Sequence, residues 1–260
     1  MISLSHMNSG SSLPSSFSGC GFIIVGTDTG VGKTVITGTL ACGLQRRGIR
    51  TGVMKPIETG VKDGEDVGSD TQRLQALCMP QEPLSLLAPY RFQHALSPLA
   101  AARLAKRSIE IDTIVSAFHT LRAQCDCLLV EGIGGVMVPL TPTQDFRDLM
   151  AALNLPCVIV SHATLGAVNH VLLTIQALET RNIPITAIVL NCPSKYEKHP
   201  ETHQAITSTV EQVKEFADAP VFGPVLFQEG LEKQWKEGIH ALSQTSIVNQ
   251  LVTRLATRMS

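Results

Sequence analysis

The sequence predicts an α/β protein built as one mostly parallel sheet with helices on both faces, organised around a phosphate-binding loop. Three observations carry this. Short apolar runs alternate with helical patterns along the 260 residues, as they do where strand–helix–strand units cover a parallel sheet on both sides. A glycine-punctuated turn, Gly26–Thr34 (GTDTGVGKT), joins the first apolar run to the first helical pattern. Four inferred strands end in polar residues, at Thr27-Asp28, Lys55, Glu131 and Asn191; ligands bind beyond that carboxyl edge in such sheets.

In chain order, residues 1–20 are Ser/Gly-rich and almost uncharged, a flexible leader ahead of a single domain over 21–260. Phe22–Val25 is the first strand and Thr34–Arg47 the first helix, stopped by Gly48. Thr51–Met54 is a second strand ending at Lys55-Pro56. After Ile57-Glu58-Thr59-Gly60 comes a polar loop, Val61–Gly68. Ser69 is placed as an N-cap for a helix through about Cys78, with Asp70 in its first turn. Pro80–Pro98 is proline-rich and assigns to no clear element beyond a short candidate strand, Tyr90–Phe92. Ser97–Lys106 and Asp112–Ala123 are helical. Cys127–Val130 is a buried strand ending on Glu131 and followed by a glycine-rich turn. Asp145–Leu153 (helix), Cys157–Val160 (strand), Leu165–Thr180 (helix) and Ala187–Leu190 (strand) repeat the alternation. His199–Phe216 is a polar helix, Val221–Phe227 a last strand or loop, and Ser246–Arg258 an amphipathic end.

A net charge of −1 gives no electrostatic case for nucleic acid or an anionic membrane. No apolar run approaches the ~20 residues of a membrane helix, and the leader lacks the basic start and apolar stretch of a secretory signal. The seven cysteines are odd in number and mostly in apolar contexts, so buried free thiols and a reduced, cytoplasmic setting are expected. Cys125 and Cys127 are expected to share one strand face, and no histidine spacing suits zinc.

The loop departs from the usual spacing. The common pattern wants glycine five residues before Gly32, where Thr27 stands; Gly26 lies one residue earlier. Gly30 and Gly32 still supply a flexible backbone, Lys33 a point charge for the outer phosphates, and Thr34 a hydroxyl for Mg²⁺. Lys55 at a strand end is either solvated surface or a site cation. Glu131, after four apolar residues, suits metal binding in a nucleotide enzyme. Asp70 either favours its helix dipole or joins that set. Asn191 either ends a strand or reads a purine edge.

Assembled, these motifs resemble the dethiobiotin synthetase family, from about Phe22 to Pro224. The resemblance rests on Gly26–Thr34, Lys55-Pro-Ile-Glu-Thr-Gly60, Ser69-Asp70, Leu129-Val-Glu-Gly-Ile-Gly-Gly135, Leu165-Gly-Ala-Val-Asn-His170 and Val189-Leu-Asn191, in that order. It implies a P-loop NTPase-type fold and an ATP-dependent ligase that closes the cyclic urea of dethiobiotin from 7,8-diaminononanoate and CO₂ (bicarbonate), with ATP as co-substrate. It implies that Gly30, Val31, Gly32, Lys33, Thr34 and Val35 wrap the phosphates. Thr34, Asp70 and Glu131 would hold Mg²⁺, and Lys55 would be catalytic together with Lys33. Gly132, Ile133, Gly134, Asn191 and Cys192 fall in the nucleotide set, with Asn191 at the adenine. Thr59, often serine in the family, would touch substrate. Gly166, Ala167, Val168 and Asn169 would offer helix N-terminal N–H groups to the substrate carboxylate across a homodimer interface.

Pro224–Phe227 departs from the family pattern beside the base, where a proline is usual. Two rivals share the loop. Partitioning or positioning ATPases, which act as nucleotide-dependent protein switches, keep a lysine four residues before the second loop glycine, where Asp28 stands here. Cobyrinate-type amidation enzymes are longer and carry a cysteine-based glutaminase domain.

Overall fold

The computed structural model describes residues 21–61, 68–192, 200–231 and 233–259. The leader with Cys20, most of the expected Val61–Gly68 loop and the expected helix start at His199 lie outside the described residues.

Apolar runs become strands where helices can cover both faces. In β1 (Gly21–Gly26) every residue is buried, and Ile23 and Ile24 are 0 % exposed. Side chains of that size, fully buried, each contribute roughly 1.5–3 kcal/mol. β5 (Cys127–Gly135) pairs with β1 on one side and β2 (Thr51–Met54) on the other; β6 (Cys157–His162), β7 (Ile185–Asn191) and β8 (Val221–Val225) extend the sheet beyond β1. The order is β2-β5-β1-β6-β7-β8, and each of these pairings is parallel. The carboxyl ends of β1, β2, β5, β6 and β7 therefore share one edge.

β5 runs further than expected. Glu131 is inside the strand, opposite Ile24, and the glycines after it keep pairing, with Gly26 opposite Gly135 after a register shift. Glycine-rich sequence turns when it is exposed; here it has a neighbouring strand to bond.

Two elements carry site residues from outside the main sheet. β3 (Ile57–Thr59) and β4 (Tyr90–Phe92) form a separate parallel pair, with Glu58 opposite Arg91. The helix α2 (Asp70–Cys78) is capped as expected, the Ser69 hydroxyl accepting from Gln72 N–H at 3.3 Å.

The main helix α1 (Lys33–Gln45) is mostly buried. Among the described residues the other helices are α3 (Leu84–Leu87), α4 (Pro98–Leu104), α5 (Ile111–Arg122), α6 (Phe146–Leu153), α7 (Ala167–Glu179), α8 (Pro200–Phe216), α9 (Trp235–Ser243) and α10 (Ser246–Met259). The short α3 fills part of the stretch that the sequence left unassigned, and α9 lies where no helix was expected. Both α9 and α10 pack on α1. The packing is close: a Cβ at Gly43 of α1 would lie 2.6 Å from Val252 Cγ2 of α10. The indole N–H of Trp235 reaches the Arg73 carbonyl on α2 at 3.3 Å, and the Arg73 guanidinium stacks over its ring at 5.4 Å.

Cys42, Cys78, Cys125, Cys157 and Cys192 are unbridged thiols, as expected. The strand starts at Cys127, so Cys125 does not share its alternation. Among the described residues no cluster of three or more His, Cys, Asp or Glu suits a metal, and no helix is long and apolar enough to cross a membrane.

Candidate active site

β1 delivers the chain into the loop, and the loop ends on α1. Gly32 caps α1 with φ 94°, a left-handed conformation that side-chain-bearing residues rarely adopt. It is also crowded. A Cβ there would lie 2.1 Å from Asn191 Nδ2, which donates to the Val31 carbonyl at 2.9 Å. The glycine at 26 has its own cause: a Cβ at that position would lie 2.7 Å from the Asp28 carbonyl oxygen and 2.8 Å from Lys33 Nζ. The displaced glycine makes room for the loop's own backbone at Asp28 and for the lysine that bonds to it.

Lys33 is 8 % exposed; its ammonium donates to the carbonyls of Asp28 at 2.9 Å and Gly134 at 3.1 Å. Burial pulls its pKa below the ordinary lysine value; Glu131 opposes this and the charge of Lys55 adds to it. Bringing phosphate oxygens to this ammonium would relieve that strain. Thr27 ties the start of the loop to β6, its hydroxyl 3.0 Å from Ser161 Oγ.

Lys55 follows β2 and is 7 % exposed. Its Nζ lies 2.8 Å from Glu131 Oε1 and makes a short ion pair with Asp70. Burial works against the ammonium, but Glu131 and Asp70 outweigh it and hold its pKa above the ordinary value. Asp70 is likewise held below the usual carboxylate value: burial opposes ionisation, and Lys55 and the Thr34 hydroxyl prevail. Thr34 also donates to Glu131 Oε1 at 2.8 Å. Lys33, Thr34, Lys55, Asp70 and Glu131 thus come from four places in the chain to one point on the sheet edge.

The second Glu131 oxygen, Oε2, is buried and has no hydrogen-bond partner. An orphaned carboxylate oxygen inside a protein is costly. With the Thr34 hydroxyl and the Asp70 carboxylate beside it, the donor set is all oxygen, which suits a hard divalent cation.

The remaining expected residues are placed less directly. Gly132–Gly134 continue β5 past Glu131, and the Gly134 carbonyl serves Lys33. Asn191 is 3 % exposed and braces the loop through Val31. Cys192 is buried, its N–H given to the Val225 carbonyl. β8 stops at Val225, leaving Leu226 (57 %) and Phe227 (36 %) exposed beyond it. Thr59 stands on β3, half-buried, and no described hydrogen bond joins it to the carboxylates. α7 starts at Ala167 and not Leu165, with Gly166 as its cap at φ 91°, so Ala167, Val168 and Asn169 form its first turn. Leu165 precedes that cap, 95 % exposed. His162, at the end of β6, was not expected at the site edge; burial lowers its pKa against the opposing charge of Asp28.

Known proteins resemble this chain in sequence and in fold. A family model described as an AAA domain matches residues 21–234. The chain is 36 % identical over 224 residues to the ATP-dependent dethiobiotin synthetase BioD of Thermodesulfovibrio yellowstonii, covering 82 % of this chain and 91 % of that one. Its identity to the protein of the same name from Anaeromyxobacter sp. (strain Fw109-5) is 45 % over 171 residues, 66 % of this chain and 76 % of that one. Among solved structures, apo McdA from Cyanothece superposes with TM-score 0.54 at 15 % identity, covering 93 % of this chain and 99 % of that one. MinD from Aquifex aeolicus superposes with TM-score 0.53 at 15 % identity, covering 92 % and 96 %. Those two share the fold alone. The agreement with the synthetases spans most of both chains, and this chain belongs to the ATP-dependent dethiobiotin synthetase family.

Proposed function

We propose that this chain is an ATP-dependent dethiobiotin synthetase, a C–N bond-forming ligase of biotin biosynthesis. The observation that carries the reading is the convergence of Lys33, Lys55, Asp70 and Glu131 with the Thr34 hydroxyl beside the phosphate loop. One amine of 7,8-diaminononanoate takes up CO₂ as a carbamate. A carbamate oxygen attacks the γ-phosphorus of ATP, and the bond to the β-phosphate bridging oxygen breaks to release ADP. The second amine then attacks the carbonyl carbon of the mixed anhydride, phosphate leaves, and the ureido ring closes. Negative charge builds on carbamate and phosphoryl oxygens throughout. Preorganised cations and loop N–H groups stabilise it, and no nucleophile from the protein is needed.

In this reading Lys33 meets the transferred phosphoryl group and Lys55 the carbamate. Gly30–Val35 wrap the phosphates, Gly132–Gly134 and Cys192 lie along the nucleotide, and Asn191 faces the adenine from its place against the loop. Thr34, Asp70 and Glu131 would hold Mg²⁺, which when bound draws charge from the phosphate oxygens. Thr59 contacts the diamine, and the first turn of α7 contacts its carboxylate in a homodimer. The exposed Leu165, and Leu173 (56 %) on α7 itself, support such an interface. Residues 21–260 act as one catalytic unit behind the leader, and the unbridged buried thiols suit the cytoplasm.

The rival that shares the phosphate loop is a nucleotide-dependent protein switch. The test is phosphate release from ATP with and without diaminononanoate and bicarbonate. Release that requires both, with dethiobiotin formed in equal amount, is expected; hydrolysis indifferent to the diamine would favour the switch.

A further inference from the structure

Glu58 is a buried carboxylate with no part in the chemistry above. It is 4 % exposed, and both its oxygens are taken by one residue. Oε1 accepts from the Thr71 N–H at 3.2 Å and Oε2 from the Thr71 hydroxyl at 2.7 Å. Arg91, opposite Glu58 across the β3–β4 pair, brings its Nε to 3.7 Å from Oε2. Thr71 is 1 % exposed and directly follows Asp70 in α2.

A helix start leaves several N–H groups without partners inside the helix. At α2 the Gln72 N–H goes to Ser69, in the local manner. The Thr71 N–H goes instead to a strand that precedes the helix by the whole 60–69 stretch. A carboxylate hidden this deeply costs several kcal/mol in lost hydration unless it is fully bonded. Ser69 already caps the helix, so a second cap from a distant strand does more than end it. It fixes where the helix begins relative to β3, the segment that continues from Lys55.

We propose that Glu58 is a positioning residue for the cation site. Its grip on Thr71 sets where the Asp70 carboxylate stands relative to Lys55, Thr34 and Glu131, and so sets how tightly a divalent cation is held. This rests on the reading that Thr34, Asp70 and Glu131 bind Mg²⁺.

The test is Mn²⁺ binding to the full chain with ADP present, followed by electron paramagnetic resonance of the free ion, beside calorimetry of ADP binding without metal. Glu58→Ala should weaken Mn²⁺ by about 10–100-fold, as loss of a group that orients a metal ligand does. Metal-free ADP affinity should stay within about twofold. Glu58→Gln should recover most of the loss, because its amide oxygen can accept from the N–H while its nitrogen donates to the hydroxyl. If Glu58→Ala does not fold, Thr71→Val, which removes the hydroxyl at similar volume, should weaken Mn²⁺ by roughly 2–10-fold.

Wild-type Mn²⁺ affinity in Glu58→Ala or, where that does not fold, in Thr71→Val overturns the proposal. So does Glu58→Gln as weak as Glu58→Ala, which would make Glu58 only the counter-charge of Arg91. If Glu131→Gln binds Mn²⁺ as the wild type does, the metal reading itself fails, a result separate from any effect of Glu58.

Discussion

Lys55 Nζ and Glu131 Oε1 lie 2.8 Å apart in a pair sealed from solvent at both ends, Lys55 being 7 % and Glu131 1 % exposed. Such a pair is held in place by its own cost: neither charge is tolerable there without the other. Removing Lys55 leaves Glu131 unpaired, and breaking a buried pair in this way costs about 3–5 kcal/mol. Lys55→Ala should therefore lower the melting temperature as well as turnover. At a temperature where the variant is folded, ATP binding should persist while dethiobiotin formation falls by about 10²–10³-fold. Near-normal turnover would remove Lys55 from the chemistry.

Lys33 gives a prediction with a sign. Its ammonium loses solvation on folding, so its pKa in the folded protein is below the ordinary 10.5. A protonated Lys33 therefore costs stability at low and neutral pH, and the cost disappears as pH rises through the lowered value. In the proposed role, nucleotide binding needs the charged form. ATP affinity measured by calorimetry should fall on the alkaline side before an ordinary lysine would titrate. Lys33→Arg should carry binding to higher pH. An ATP affinity flat to pH 10.5 would contradict this.

Gly32 faces two separate obstacles, and they can be told apart. Gly32→Ala puts a methyl 2.1 Å from Asn191 Nδ2 and also asks alanine to hold φ 94°. Nucleotide binding should be lost. Adding Asn191→Ala clears the space but leaves the backbone cost of about 1–2 kcal/mol. Measured against Asn191→Ala alone, which also loses the bond to Val31, the double variant should still bind nucleotide more weakly; equal binding would show the loop to be free of backbone strain.

Trp235 joins α9 to α2 through the Arg73 carbonyl and guanidinium. It is half-buried, so Trp235→Ala should cost about 2–3 kcal/mol, below the range for fully buried tryptophan. Chemical denaturation would measure it, and a loss under about 0.5 kcal/mol would reduce the contact to surface packing.

The site was legible where chemistry interrupts a pattern. Glu131 stands out because a carboxylate after four apolar residues has no packing reason to be there, and Lys33-Thr34 because a lysine–threonine pair closes a glycine run. What local pattern could not show was decided by distant chain. The glycines after Glu131 resemble a turn until β1 is there to pair with them. β3 exists only because β4 supplies its partners from some thirty residues away. α9 carries Gly238 in its middle, which lowers helix propensity; it packs close to Leu231, whose Cδ1 would have to shift from a Cβ 2.6 Å away. Glu58 had its signal in the sequence, a charge amid Pro-Ile-Glu-Thr-Gly, but its partner Thr71 follows a stretch with no pattern.

The packing of α10 on α1 has a consequence for synthesis. The phosphate loop and α1 leave the ribosome well before α10, yet Leu251, Val252 and Leu255, all at most 1 % exposed, belong to the core. Until translation has passed Leu255, the part of α1 around Gly43 lacks the cover that α10 gives it. Apolar surface that α10 buries in the folded protein is therefore uncovered over that interval, and exposed surface of that kind is what makes an incompletely folded chain prone to aggregate.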